Sequence, residues 1–165
     1  MSLPPPTTPP ATSTSTRVVA FADLDTLTAY AVWRLRQDVF VVEQDCPYPD
    51  LDGRDLEPDT RHVLLLGALD GTDGADAPHR LLGCARVLAE ADDVRRVGRV
   101  VLAREARGRG LADVLMAAAL EECGPAPVLI GAQEPLAGWY GSLGFVLDGE
   151  GYVEDGIPHV PMRRG

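Results

Sequence analysis

Residues 95–124 read RRVGRVVLAREARGRGLADVLMAAALEECG, and the pattern of this stretch decides the fold. Its first part, 95–103, is a mostly apolar run that predicts a buried, central β-strand. Its last part, 111–124, predicts an amphipathic helix that stops at Gly124. The apolar face of that helix is formed by Leu111, Val114, Leu115, Ala118 and Ala119.

Two glycines, Gly108 and Gly110, separate the predicted strand from the predicted helix. Glycine permits a tight turn and leaves the backbone N–H groups uncovered. The first turn of a helix adds unpaired N–H donors and the positive end of a dipole. Arg107 and Arg109 supply cationic donors beside them. The turn therefore predicts a binding site for phosphate groups, but a Walker A loop is excluded because the chain contains no lysine.

The rest of the chain alternates predicted strands and helices around this unit. A helix over 26–38 is expected to begin at a cap formed by Asp23 or Asp25. A flexible hairpin loop is expected over 70–79. The remaining predicted elements are strands over 17–24, 62–69, 80–90 and 128–133, a short helix over 135–144, and two closing strands around an Asp-Gly turn.

This order predicts an α/β fold with a sheet of mixed direction and helices on its faces. The strand–helix–strand piece over 95–133 is expected to form a right-handed parallel crossover. Residues 1–16 are rich in Pro, Ser and Thr and predict a disordered leader. Residues 17–165 have the length of one ordinary domain.

The chain is strongly acidic, with a formal net charge of −10. This charge argues against nucleic acid and anionic membranes as partners, and it suits a cationic small molecule or peptide. Three dispersed cysteines without a CxxC pair indicate reduced thiols in a cytoplasmic protein and no zinc site. An EF-hand alignment centred on Gly53 fails because Tyr48 falls at the first ligand position, so no metal is expected.

Arg107, Gly110 and Ala112 form the pattern R-x-x-G-x-A, which resembles the pyrophosphate-binding motif of the GNAT family of N-acetyltransferases. The segment AGWYGSLGF (137–145) follows at the expected distance and resembles the family's short helix with a tyrosine before a Gly-Phe step. The segments LRQDVFVVEQDCPYPDLDGRD (35–55) and DGIPHV (155–160) are similar to the ElaA-like subgroup. The resemblance covers roughly residues 18–164.

The resemblance implies the GNAT fold, a mostly antiparallel mixed sheet with one parallel β-α-β crossover. It also implies acetyl-coenzyme A as cosubstrate, without a metal, and direct acetyl transfer to a primary amine of a small molecule or peptide in a ternary complex. By the same resemblance, the backbone of Val100, Val101 and Leu102 pairs with the pantetheine arm. The residues expected to hold the pyrophosphate are Arg107, Gly108, Arg109, Gly110, Leu111 and Ala112.

Acetyl transfer needs an amine that has lost its proton and a donor for the departing thiolate. Tyr140 matches the family's tyrosine and is the expected general acid, although a core aromatic is the alternative. Some family members carry a glutamate base on the strand before the glycine turn, but RRVGRVVL has no carboxylate. His62, His159 and then Glu43 therefore remain the candidate bases, with a structural role as the alternative for each histidine.

The segment 43–59 holds seven carboxylates. It is interpreted either as a solvated acidic loop or as an electronegative rim that attracts the amine. Glu43, Asp52 and Gln133 are the candidate acceptor-binding residues. Two other functions stay open at this point, a non-catalytic acyl-coenzyme A binding or sensing domain and a protein-interaction module that uses the acidic segment. A homodimer also stays open.

Overall fold

The computed structural model describes residues 13–67 and 80–165, and in these ranges eight strands form one sheet. The strands are β1 Thr14–Val19, β2 Arg61–Gly67, β3 Arg80–Ala89, β4 Arg95–Leu102, β5 Val128–Gln133, β6 Val146–Leu147, β7 Tyr152–Glu154 and β8 Ile157–Arg164. The helices are α1 Thr26–Arg36, α2 Leu111–Cys123 and α3 Ala137–Ser142.

The strand order is β1-β2-β3-β4-β5-β8-β6, with β7 paired to β8. β4 and β5 run parallel, joined through α2, while the other paired strands run antiparallel. The predicted fold class, a mixed sheet with one parallel crossover and flanking helices, is confirmed.

The start of α1 confirms one of the two proposed caps. The side chain of Asp25 accepts a hydrogen bond from the Thr28 N–H at 2.9 Å, so Asp25 caps the helix and Asp23 does not. The α-helical geometry ends at Arg36, two residues before the predicted end. The chain continues as a π-helical extension, Gln37–Glu43, in which the Gln44 N–H donates to the carbonyl of Val39.

The first strand corrects the predicted boundaries at the N-terminus. Thr14, Ser15 and Thr16 pair with β2, so these three residues belong to the sheet and not to the leader. β-Branched threonines fit a pleated strand, which composition alone had assigned to disorder. The strand also ends at Val19 instead of residue 24, because Phe21–Asp23 forms a 3₁₀ turn before α1. The predicted loop 70–79 and residues 1–12 lie outside the described residues.

Helix α2 packs on the sheet through a face slightly different from the predicted one. Its buried residues are Leu111, Leu115, Met116, Ala119 and Cys123. Val114, predicted to face the core, is 41% exposed, and Met116 takes its place with no exposure. A helix that follows a twisted sheet buries a stripe that drifts around its axis, so the fixed spacing assumed from sequence misassigned one position.

The parallel pair β4–β5 separates soon after it begins. Arg95 pairs with Val128 and Arg96 with Leu129, and no later pair joins the two described strands. β4 also contains a bulge, since Gly98 lies opposite Arg86 but Val101 lies opposite Cys84. β4 lies between β3 and β5 and is central as predicted. Only Val97 and Val101 of this strand are buried. The separation opens a groove between the strands.

Candidate active site

The groove between β4 and β5 has a volume of about 970 Å³. Because β4 leaves β5 after Arg96, the edge of β4 at Val100, Val101 and Leu102 lines this groove without a strand partner on the β5 side. A free strand edge offers N–H and C=O groups to an extended, amide-containing ligand. The residues predicted to bind the pantetheine arm are thus placed where such an arm can pair with them.

The glycine turn lies at the start of α2. Gly108 and Gly110 have φ values of +71° and +73°, a backbone conformation that favours glycine. No atom lies within 4 Å of the position that a Cβ would occupy at either glycine. The turn therefore combines the N–H groups of a helix start with open space in front of them. This arrangement fits a phosphate group.

Arg107, the first residue of the motif, is already engaged by protein groups. Its Nη1 and Nη2 donate to the two carboxylate oxygens of Glu43 at 2.6 and 3.1 Å. Its Nε donates to the Leu102 carbonyl at 3.3 Å. The hydrogen bond from Arg107 lowers the pKa of the Glu43 carboxyl. A carboxylate with a lowered pKa is a weaker base, so the paired Glu43 is poorly suited to be the general base.

Tyr140 is both a core residue and a groove residue. It is 6% exposed and packs against Trp139, with ring centroids 4.7 Å apart, and against the edge of Phe145 at 5.9 Å. Its side chain also lines the groove, and its hydroxyl forms no hydrogen bond with the described residues. Burial raises the pKa of Tyr140 to about 12. The phenol therefore keeps its proton at neutral pH, as a donor must.

His159 lies beside Gln133 across the β5–β8 pair, and both line the groove. The Nδ1 atom of His159 is 2.8 Å from the Ile157 carbonyl, and its ring stacks on Tyr152 with centroids 5.6 Å apart. A carbonyl can only accept, so this contact places a proton on Nδ1, and in the neutral ring the lone pair is then on Nε2. Gln133 donates to the side-chain oxygen of Gln44 at 3.2 Å.

His62 is removed from the candidate bases by its position. It is 1% exposed, it does not line the groove, and its Nε2 lies 3.3 Å from the Asp55 carbonyl. Burial lowers its pKa. His62 is the second residue of β2 and is buried in the protein, which indicates a structural role. Sequence could not separate the two histidines because both sit on apolar strands.

Five of the seven carboxylates in the acidic segment pair with arginines, which corrects its interpretation as an electronegative rim. Three of its carboxylates pair with arginines of α1, β3 and β4, and this set forms a buried ion network. The pairs are Arg36–Asp50 at 2.8 Å, Arg36–Asp55 at 2.6 Å, Arg86–Asp52 at 2.7 Å, Arg86–Asp55 at 3.2 Å and Arg99–Asp50 at 2.7 Å. Because of the same ion pairs, a protein-interaction module that depends on this segment would have few unpaired carboxylates with which to bind a partner.

Asp52, predicted to contact the acceptor, belongs to this network. The hydrogen bonds from Arg86 hold its pKa well below the ordinary range of an aspartate. The sequence patterns did not predict that Arg36, Arg86 and Arg99 form one group. A signal existed at Arg86, which stands inside the apolar strand LLGCARVLA and is 3% exposed. A charge in such a strand must find a buried partner.

Among residues 13–67 and 80–165, no group of three or more His, Cys, Asp or Glu side chains is arranged to hold a metal ion. Within the same ranges, no helix is both long and apolar enough to cross a membrane.

A family model described as an acetyltransferase (GNAT) domain matches residues 74–164, more than half of the chain. The chain belongs to the GNAT family. A UPF0039 protein of Mycobacterium tuberculosis is 44% identical over 146 residues, which are 86% of this chain and 87% of that protein. Protein ElaA of Escherichia coli is 41% identical over 149 residues, 87% of this chain and 91% of ElaA.

The solved structures agree with this GNAT assignment. An acyl-CoA N-acyltransferase from Pseudomonas aeruginosa has a TM-score of 0.80 and 39% identity, covering 93% of this chain and all of that one. The crystal structure of Escherichia coli ElaA also has a TM-score of 0.80, at 37% identity, with coverage of 93% and 100%. This GNAT protein is an acyltransferase that uses acyl-coenzyme A. This assignment disfavours the alternative function, a non-catalytic domain that only binds or senses acyl-coenzyme A.

Proposed function

We propose that this GNAT protein transfers the acetyl group of acetyl-coenzyme A directly to a primary amine of a small molecule or peptide, in a ternary complex. One observation carries the proposal. A single groove joins the free edge of β4, the Arg107 end of the glycine turn, Tyr140 and His159. A coenzyme donor, a proton donor and a proton acceptor can therefore act within one cavity.

The donor side of the groove is formed by β4 and α2. The phosphate groups would lie on Gly108 and Gly110, with Arg107 and Arg109 as cationic donors. The pantetheine arm would then follow the edge of β4 at Val100–Leu102 toward Tyr140.

The acceptor side is formed by the β7–β8 turn. Glu154 and Asp155 line the groove there, and neither carboxylate pairs with an arginine among the described residues. Two carboxylates without a cationic partner, in a protein of net charge −10, favour a cationic amine over an anionic or neutral acceptor. This pair, and not the arginine-bound Asp52, is the group that we expect to attract the acceptor.

His159 is the base that this geometry favours. Its Nε2 lone pair can take the proton that an ammonium group must lose before it attacks, directly or through water. The hydrogen bond to the Ile157 carbonyl favours the tautomer that has its proton on Nδ1 and its lone pair on Nε2. Gln133, directly opposite His159 in the β5–β8 pair, can orient the acceptor by its amide.

In the transfer step, the amine nitrogen forms a bond to the thioester carbonyl carbon, the C–S bond breaks, and its electron pair leaves on sulfur. Tyr140 donates a hydrogen bond to that sulfur. A phenol is a weaker acid than a thiol, and burial weakens Tyr140 further. Tyr140 therefore stabilises the departing thiolate as a hydrogen-bond donor. The amine nitrogen loses a second proton when the amide forms, and that proton converts the thiolate to the free thiol.

A thiol-release assay with acetyl-coenzyme A over a panel of amines tests the proposal, with propionyl- and butyryl-coenzyme A as alternative donors. We expect release that depends on the amine, with intersecting initial-velocity lines when both substrates are varied. Parallel lines would indicate a covalent acyl-enzyme and contradict direct transfer. Thiol release at the same rate with and without an amine would contradict transfer to an amine. A preference for propionyl- or butyryl-coenzyme A would contradict acetyl-coenzyme A as the donor.

The predicted phosphate site has its own test. We expect micromolar binding of acetyl-coenzyme A by calorimetry, weakened at least about tenfold in an Arg107→Ala/Arg109→Ala variant because two charge-assisted donors are lost. Unchanged affinity in that variant would move the phosphate site away from the glycine turn.

A further inference from the structure

Glu43 and Arg107 connect two parts of the groove that are distant in sequence. Glu43 ends the π-helical extension of α1, and Arg107 directly precedes Gly108 in the phosphate turn. Their bidentate pair, at 2.6 and 3.1 Å, occupies the two terminal nitrogens of the guanidinium, and the Leu102 carbonyl occupies the third. Each of the three guanidinium nitrogens of Arg107 therefore already donates one hydrogen bond to a protein group before a phosphate binds.

Carboxylate and phosphate oxygens are the same kind of partner for a guanidinium, and both favour the two-pronged geometry seen here. Two anions on one face of Arg107 would repel each other. The side chains of Arg107 and Glu43 are 38% and 41% exposed, so the pair stabilises the fold little and both side chains have room to move. A pyrophosphate carries more charge than one carboxylate and should win the exchange.

We propose that Glu43 is a coenzyme-gated residue, which holds Arg107 until the pyrophosphate of acyl-coenzyme A replaces it and then binds the ammonium group of the acceptor. This inference rests on the proposed function, since it takes Arg107 as a phosphate ligand. Released from Arg107, Glu43 regains the ordinary basicity of a carboxylate. The coenzyme is therefore the first substrate to bind, and the amine the second.

The position of Glu43 supports its second role. The next residue, Gln44, contacts Gln133 through their side chains, and Gln133 lies opposite His159 in the sheet. Glu43, Gln44, Gln133 and His159 all line the groove. A released Glu43 carboxylate is therefore next in sequence to the residue that contacts Gln133, on the side of the groove where the proposed base His159 lies.

The Glu43→Gln variant tests the gate because its two expected effects have opposite signs. The dissociation constant for acetyl-coenzyme A should fall about two- to fivefold, the range expected when an exposed charged competitor is removed. The KM for the amine should rise by a similar or larger factor. A role in folding alone would worsen both values together. Asp38→Asn is the matched control, because Asp38 lies in the same extension, loses the same charge and contacts Arg34 instead.

A double-mutant comparison separates exchange at Arg107 from a general loss of negative charge. In an Arg107→Ala background, Glu43→Gln should no longer tighten acetyl-coenzyme A binding. Binding of S-acetylpantetheine, which lacks the phosphates, should not respond to Glu43→Gln at all. Tightening that persists in the Arg107→Ala background, or weaker coenzyme binding in Glu43→Gln, would overturn the gate.

An unchanged amine KM in Glu43→Gln would overturn the acceptor role of the released carboxylate. Failure of the underlying function has a different signature, since acetyl-coenzyme A would then bind to no variant, including the natural chain. Product-inhibition patterns give the order of addition, and an amine that binds first would contradict the gate.

Discussion

The hydroxyl group of Tyr140 is the one polar atom of a side chain that is otherwise packed as core. Trp139 and Phe145 hold the ring, and the hydroxyl lacks a hydrogen-bond partner among the described residues. A hydroxyl without a partner becomes costly once a ligand excludes water from it. A ligand atom in the groove that accepts from this hydroxyl would remove that cost, which fits a donor role.

Replacing Tyr140 by Phe should lower kcat about 10²-fold, the lower range for loss of a positioned proton donor. Affinity for acetyl-coenzyme A and the thermal midpoint should stay unchanged, because the ring packing is kept. Steady-state rates, calorimetry and thermal unfolding measure the three quantities. Tyr30→Phe is the control, since Tyr30 is 64% exposed on α1 and does not line the groove. A Tyr140→Phe enzyme with more than half the natural rate would remove Tyr140 from the mechanism.

Asp55 is the carboxylate on which two buried guanidinium groups depend. It is 4% exposed and lies 2.6 Å from Arg36 and 3.2 Å from Arg86. Asp55→Asn keeps the shape but leaves the two cations short of one charge. We expect a loss of about 3–5 kcal/mol in the free energy of unfolding, the usual cost of breaking a buried ion pair from one side.

Urea denaturation measures this loss, with Asp59→Asn as the control from the same segment. Asp59 is exposed and forms no hydrogen bond among the described residues, so its replacement should change stability by less than about 0.5 kcal/mol. Equal effects of the two substitutions would show that the buried ion network does not hold the segment.

At the scale of elements, the start of α2 depends on glycine for two separate reasons. Gly110 has a φ of +73° and caps the helix, and open space lies in front of it. An alanine side chain at this position would find room but would strain the backbone by about 1–2 kcal/mol. It would also project a methyl group into the space that the phosphate is expected to fill.

Gly110→Ala should therefore lower both the free energy of unfolding and the affinity for acetyl-coenzyme A. Gly138→Ala is the matched control, because Gly138 lies in α3, has no atom near its Cβ position and has no positive φ. That control should stabilise the protein by about 0.5–1 kcal/mol and leave coenzyme affinity alone. Coenzyme affinity that survives Gly110→Ala would place the phosphates elsewhere.

At the scale of the whole molecule, acid should destabilise the fold in two steps. Burial lowers the pKa of His62, so the stability that its neutral form contributes is complete above about pH 6.5 and declines below it. Burial alone would raise the pKa of Asp55, but Arg36 and Arg86 outweigh burial and lower it. The pKa of Asp52 is lowered by Arg86. The stability from these two carboxylates is complete above about pH 4 and declines below it.

Thermal midpoints measured from pH 8 to pH 3 test this expectation. We expect a shallow decline below about pH 6.5 and a steeper one below about pH 4. His62→Gln should remove the upper step, and Asp55→Asn should reduce the lower one. A midpoint that stays level over the whole range would contradict both assignments.

Local patterns predicted the order and type of most elements and the position of the glycine turn at the start of α2. These features depend on neighbours in the chain. The alternation of apolar residues specifies β4 and α2, Asp25 caps α1 through a residue three positions away, and Gly108 and Gly110 supply conformations that other residues rarely adopt. The error at Thr14–Thr16 arose where this locality ends, since the strand there is decided by pairing with β2.

Tertiary contacts, in contrast, determine which charged groups are paired and which side chains line the groove. Seven carboxylates in one segment predicted an acidic surface, but three of them, Asp50, Asp52 and Asp55, pair with arginines of α1, β3 and β4 that lie 14 to 49 residues away in sequence. His62 and His159 look alike in sequence, and only the sheet register turns one into the core and the other toward the groove. Contacts between residues that are distant in sequence decide which charges are paired and which histidine lines the groove, and local sequence patterns do not contain that information.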